Sequence, residues 1–251
     1  GKIETTTSLP DPISGLPAAA VDDAVTAPHA APRTFAIETF VARTYTYLDR
    51  LVDRDALPYF NVFWTDPCEA AHDWPDFGDV MSRQLQAAVM ARHLTGREAR
   101  HETTWLSKIR SYLHADSGLL MRPKTTFSEP GADLGDQALT LYALVTVYAE
   151  TRDAELKVAI DTLIDHLPAL YDTGHWLRGF IIKSLMAWVR ETGSLPALEQ
   201  AGRLVRSCFE ENPLFTPDNT FRQGGHMHGN LRTLVGCAAG PCRTRPSGSS
   251  P

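Results

Sequence analysis

Nowhere does this chain hold the run of about eighteen apolar residues that a membrane-spanning helix needs, so no such helix is expected. Positive charge is not in excess either: Lys and Arg number 24 against 30 Asp and Glu, a formal charge of −6. With no basic cluster to override that balance, neither nucleic acid nor an anionic membrane is an expected partner. Cysteine is scarce. Cys68, Cys208, Cys237 and Cys242 are scattered, which in a chain of 251 residues argues for free thiols rather than a disulfide framework. Cys237 and Cys242 follow His226 and His228, but their spacing is not the tight pair of a zinc site, so no metal and no cofactor are expected. Strand signals are also few; residues 58–64, PYFNVFW, are the one stretch that could pass for a strand, and a loop explains them equally well. The chain is expected to be soluble, with the cytoplasm as the favoured compartment.

What is present is helical periodicity. Residues 1–34, rich in Ala, Pro, Thr and Asp, lack it and are expected to form an extended or disordered lead-in. From residue 35 to 239 two kinds of helical stretch alternate. Residues 137–150 and 176–189 are apolar almost all the way round, which places such helices inside a structure with neighbours on every side. Residues 80–94 are a milder version, and residues 230–239 begin a fourth. The other kind has two faces. Trp105, Ile109, Tyr112 and Leu113 recur at helical spacing, as do Leu156, Ile160, Leu163, Ile164 and Leu167, and then Leu198, Ala201, Val205, Cys208 and Phe209. A further helix is expected at 37–52. The order buried, two-faced, buried, two-faced predicts an all-α array of helical hairpins, with inner helices shielded by amphipathic outer ones.

One element repeats. Asp76-Phe-Gly-Asp79 opens the first inner helix and Asp133-Leu-Gly-Asp136 the second, 57 residues later, which suits one hairpin and its loops. Later entrances differ: His175-Trp-Leu-Arg178, then His226, His228 and Asn230 after a Gly-Gly pair. An Asp at a helix entrance is a favoured N-cap, and a second acid three residues on completes a near relative of the capping box while complementing the helix dipole. The same four carboxylates could instead do acid–base work, and one Asp could cap while its neighbour faces a cleft. The loop from 59 to 74 carries Trp64, Trp74 and other aromatics beside His72, a composition suited to stacking on sugar faces as well as to plain packing.

With those residues in view, the chain resembles the six-hairpin (α/α) toroid enzymes, the superfamily of many glycoside hydrolases and some polysaccharide lyases. The resemblance covers about residues 36–239. It implies an active cleft at the end of the barrel where loops enter the inner helices, with a carbohydrate as substrate. On that reading Asp79, Asp136, Asp76 and His228 are the catalytic candidates. Trp64, Trp74, His72, Asp133, His175, Arg178, His226 and Asn230 are candidates for holding an oligosaccharide, Arg178 by a bidentate grip on a substrate carboxylate. The expected function is hydrolysis of a glycosidic bond by paired carboxylates. The alternatives are a lyase or sugar isomerase on the same barrel, or a helical-repeat interaction module without chemistry. A closed toroid needs about twelve helices and this chain offers roughly eight before the Pro- and Ser-rich tail expected at 240–251. The expectation is therefore an incomplete toroid, either truncated or completed by another chain, that self-associates through exposed inner helices or is only marginally stable.

Overall fold

The computed structural model describes residues 37–59, 71–172, 178–211, 216, 218, 220 and 227–238. The chain divides after Ile37, and everything below concerns the unit of residues 38–251. The lead-in expected at 1–34 and the tail expected at 240–251 lie outside the described residues.

Eight α-helices account for most of what is described, and no strand occurs among those residues. They are α1 (Ile37–Arg50), α2 (Asp79–Thr95), α3 (Glu102–Tyr112), α4 (Leu134–Thr151), α5 (Ala154–His166), α6 (Arg178–Thr192), α7 (Leu195–Arg206) and α8 (Met227–Ala238). Extended backbone is limited to three isolated antiparallel bridges, Val52 with Pro58, Leu113 with Leu120, and Arg122 with Gly131. Of the possible strand at 58–64, Pro58 forms one such bridge, and residues 60–64 lie outside the described residues.

The even-numbered helices form a row: α2 packs on α4, α4 on α6, and α6 on α8. The odd-numbered ones flank it, α3 on α2, α5 on α4 and α7 on α6. The burial pattern follows. Helix α4 buries Leu134, Ala138, Leu141, Leu144, Val145 and Val147 among others, and α6 buries Ile181, Ile182, Leu185, Met186 and Trp188. Their flanking partners bury one stripe each: Trp105 and Ile109 on α3; Leu156, Ile160, Leu163 and Ile164 on α5; Ala197, Ala201 and Leu204 on α7. On α3 and α5 these are positions that helical spacing marks as apolar, because only one face of an outer helix meets another element. On α7 Ala201 is shared, but the buried stripe turns to Ala197 and Leu204 and leaves Leu198 and Val205 half-buried. Several polar groups caught in the interior are matched. The Ser82 and Thr140 hydroxyls meet at 3.1 Å between α2 and α4, Ser184 donates to the Ala138 carbonyl at 2.7 Å, and the Trp105 indole donates to the Ala56 carbonyl at 2.8 Å.

Short connections keep each hairpin tight. Helix α4 ends at Arg152 with φ 52°, and Asp153 immediately caps α5 by accepting from the Glu155 and Leu156 amides. Gly193, at φ 72°, turns the chain from α6 into Ser194, the cap of α7. Helices α6 and α8 approach so closely that a Cβ on Gly236 would overlap the Gly179 carbonyl. The longer connection from α3 to α4 folds back on itself, and the buried Gln137 side chain pins it. Its amide donates to the Leu120 carbonyl at 2.9 Å while its carbonyl accepts from the Leu120 amide at 2.7 Å. That clamp delivers Arg122 to the entrance of α4.

Candidate active site

Helices α2 and α4 begin next to each other, and their entrances bring both Asp-x-Gly-Asp elements to one place. The two copies are built differently. In the first, Trp74–Asp76 form a single 3-10 turn, and α2 starts only at Asp79. In the second, Asp133 caps α4 directly, its carboxylate accepting from the Asp136 amide at 2.9 Å. The consequence is an exchange of positions. Asp76 and Asp136 are both wholly buried, whereas Asp79 and Asp133 remain partly exposed.

Asp79 and Asp133 line a cavity of about 1110 Å³. Trp74, Tyr59 and Tyr47 supply aromatic surface to it, and Arg83 and Gln84 come from the next turn of α2. Phe180 from α6 and His228 from α8 line it too, their rings edge-on at 5.8 Å. Five helices, α1, α2, α4, α6 and α8, therefore contribute to one opening, together with the turn before α2.

Two guanidinium groups organise the carboxylates. Arg83, one turn along α2, is paired with Asp79. Arg122 reaches Asp133 at 2.6 Å and Asp136 at 3.4 Å while lying 5.6 Å from the Trp74 ring centre, within cation–π range. Asp136 sits behind this pair. Burial, reinforced by the neighbouring Asp133 and Asp79 carboxylates and only partly opposed by Arg122, pushes its carboxyl up to about 8. It therefore holds a proton at neutral pH.

Gly78 explains how Asp136 gets there. A Cβ at Gly78 would overlap the Asp136 carboxyl and its Cβ, so the glycine of the first element makes room for the last acid of the second. Because Asp136 is fully enclosed, it cannot swing aside. Gly78→Ala should destabilise the chain by about 1–3 kcal/mol, as overpacking does. Denaturant unfolding checks this, and an unchanged midpoint would mean that the two elements are not locked together.

Asp76 belongs to a second cluster beneath the wall. His72 bridges it to Asp53, with Nδ1 at 2.7 Å from Asp76 and Nε2 at 3.1 Å from Asp53. Tyr59 stacks flat on the imidazole, with ring centres 4.1 Å apart. Burial raises the Asp53 carboxyl, but the Leu57 amide, His72 and the Asp55 amide outweigh it, so it lies below the usual carboxylate range. This cluster ties the chain after α1 to the turn that opens α2. His72 is thus held as a strut and does not line the cavity.

The remaining candidates fall in different places. Trp74 lines the cavity, as does His228. Arg178, expected to grip a substrate carboxylate, is buried in α6 and bonded to Ser207, away from the cavity lining. Asn230 belongs to α8, with its side chain outside the described residues; Trp64, His175 and His226 also lie outside them. Cys208 is buried in the core. Among the described residues no group of three His, Cys, Asp or Glu side chains is placed to hold a metal ion. Among the described residues no helix is long and apolar enough to cross a membrane. Arg122, Arg83, Asp53 and Gly78 were not legible as site residues, since each acquires its role from a partner in another segment. No protein-family model, no curated protein and no solved structure matches the chain.

Proposed function

We propose that this chain is a carbohydrate-active enzyme of the α/α toroid kind that hydrolyses a glycosidic bond in an oligosaccharide. The observation that carries this reading is the convergence of Asp79 and Asp133 on one cavity walled by Trp74, Tyr59, Phe180 and His228. Glycoside hydrolysis needs one carboxyl to protonate the leaving oxygen and a second carboxylate to activate water or attack the anomeric carbon. Asp79 and Asp133 are the acids that reach substrate, and they take those two roles. Asp136 becomes a positioning residue: its neutral carboxyl spaces the two entrances without adding a third negative charge. The aromatic walls stack on the apolar faces of sugar rings, and Gln84 offers hydrogen bonds to hydroxyls.

A panel of chromogenic aryl glycosides, followed by reducing-sugar release from oligosaccharides, tests the reading. Hydrolysis that is lost in Asp133→Asn supports it. Binding of oligosaccharides without turnover would favour a helical-repeat binding module. An unsaturated product would instead favour a lyase, with His228 and Tyr47 or Tyr59 of the cavity handling the proton.

Self-association belongs to the same reading. Helix α8 exposes Leu231 and Val235, and α2 exposes Met90 and Leu94, all on helices of the inner row. Apolar surface of this kind usually marks a contact site. The chain is expected to sediment above monomer mass at micromolar concentration and to bind a hydrophobic dye. A strictly monomeric, dye-silent protein would remove the expectation.

A further inference from the structure

Beyond the cavity, the same face of the inner row continues toward the other ends of the helices. On α2, Val80, Arg83 and Ala87 of the cavity lead to Met90. On α4, Gly135 and Leu139 lead to Tyr142, Thr146 and Ala149, and on α6 Phe180 leads to Ala187 and Arg190. Steps of three and four residues keep these positions on one side of each helix. The far part of this face is a second hollow of about 940 Å³, so a ligand longer than the cavity has somewhere to lie.

Charge on this face is unevenly settled. Every carboxylate along it already has a cation from the protein: Asp79 has Arg83, Asp133 has Arg122, Glu150 has Arg92, and Glu191 has Arg152. Three cations are not answered in that way. Lys183 lies over the Tyr142 ring at 4.1 Å, Arg232 contacts His228 and the Phe180 ring, and Arg190 is exposed at the rim of the second hollow. None of the three makes an ion pair with a carboxylate among the described residues. The excess charge of the face is therefore positive although the chain as a whole is negative. Lys183 and Arg190 stand seven residues apart on α6, about 10 Å along its axis, which is comparable to the length of a disaccharide.

We propose that the inner face binds an anionic glycan, a sugar chain bearing carboxylate or sulfate groups, which lies along α6 with its charges on Lys183 and Arg190 and one end at Arg232 beside the cavity. This rests on the carbohydrate reading of the cavity and adds the class of substrate. Each cation meets an anion on a different sugar. The expectation of an anionic substrate that Arg178 suggested thus returns on other residues, because Arg178 itself is engaged in the core.

Titration calorimetry on the full chain decides the matter without needing turnover. The probes are the hexamer of galacturonic acid, its methyl ester, sulfated maltohexaose, and a single-stranded DNA oligonucleotide of similar charge. The galacturonate hexamer, the sulfated hexamer or both should bind at least about tenfold more tightly than the methyl ester, and added salt should weaken them. Which of the two binds more tightly identifies the anion. Lys183→Gln with Arg190→Gln should weaken the anionic hexamers about tenfold, since two partly exposed charge contacts carry that much, and leave the methyl ester unchanged. The pair Lys183→Arg and Arg190→Lys should restore binding, and circular dichroism confirms the fold of each variant. Equal binding of acid and ester, no loss in the double variant, no binding of any hexamer, or tighter binding of DNA than of either glycan would each overturn the proposal. Charge-selective binding without cleavage would sink only the hydrolase reading; cleavage of neutral sugars without charge selectivity would sink only this one.

Discussion

Asp136→Asn is expected to be more stable than the wild type at alkaline pH and no more stable at pH 4. The reason is linkage. In the unfolded chain an Asp titrates near 4, whereas folding carries Asp136 up to about 8. Between those values the folded state keeps a proton that the unfolded state has released, so stability falls as pH rises, by about 1.4 kcal/mol for each pH unit at most. Across the whole window the loss is on the order of 5 kcal/mol, a large part of what holds a domain of this size together. Below pH 4 both states hold the proton and the site contributes no pH dependence; above pH 8 both have lost it and the slope ends. Asparagine keeps the shape of the side chain and has no charge to bury. Chemical unfolding at pH 4, 6 and 8 should therefore give curves for the two proteins that coincide at the first pH and separate toward the last. Parallel curves would mean that Asp136 is solvated or paired well enough to ionise, and with that the neutral spacer between Asp79 and Asp133 would be lost.

Asp79→Asn is expected to lower turnover by about 10²–10⁴-fold while changing oligosaccharide affinity little, which is the usual cost of removing one proton-transfer group. The carboxylate sits at the first position of α2, on the cavity wall, with Arg83 one turn away to orient it. Gly78, not Asp79, occupies the N-cap, and no side chain caps α2, so the substitution removes charge without removing a capping bond. Asp133 is different. It caps α4 and holds Arg122; asparagine can keep the cap but not the ion pair, so Asp133→Asn should lose some stability as well as turnover. The contrast separates chemistry from architecture: a stable but inactive Asp79→Asn identifies a catalytic carboxylate. Wild-type turnover in Asp79→Asn, on a substrate the wild type cleaves, would exclude that residue from the reaction.

The helices and their two kinds were legible in the sequence because the signal is local. Leu156, Ile160, Leu163 and Ile164 recur at the period of one α-helical face, and the structure buries all four. The nearly uninterrupted apolar character of residues 137–150 and 176–189 likewise required neighbours on several sides, and α4 and α6 have them. One helix entrance was legible for the same reason: Asp133 is a capping residue by chemistry, and it caps α4, whereas α2 opens at Gly78 without a side-chain cap.

The site was legible only as a pair of repeated letters. Asp76-Phe-Gly-Asp79 and Asp133-Leu-Gly-Asp136 look equivalent, yet the buried acid is the first of one and the last of the other. Local backbone decides this, since one element begins in a 3-10 turn and the other caps its helix outright. Arg122, Gly78 and the clamp of Asp53, His72 and Asp76 left no mark that periodicity could find, because each acts on a residue in another segment. Arg178 shows the converse: a charged residue at a helix entrance, plausible as a ligand clamp, is drawn into the core by Ser207 at the end of α7, its own hairpin partner. Apolar spacing along one helix determined which helices form and which faces they bury. Which carboxylates reach the cavity depended on how α2 and α4 dock, because burial and charge pairing are properties of neighbours distant in the chain.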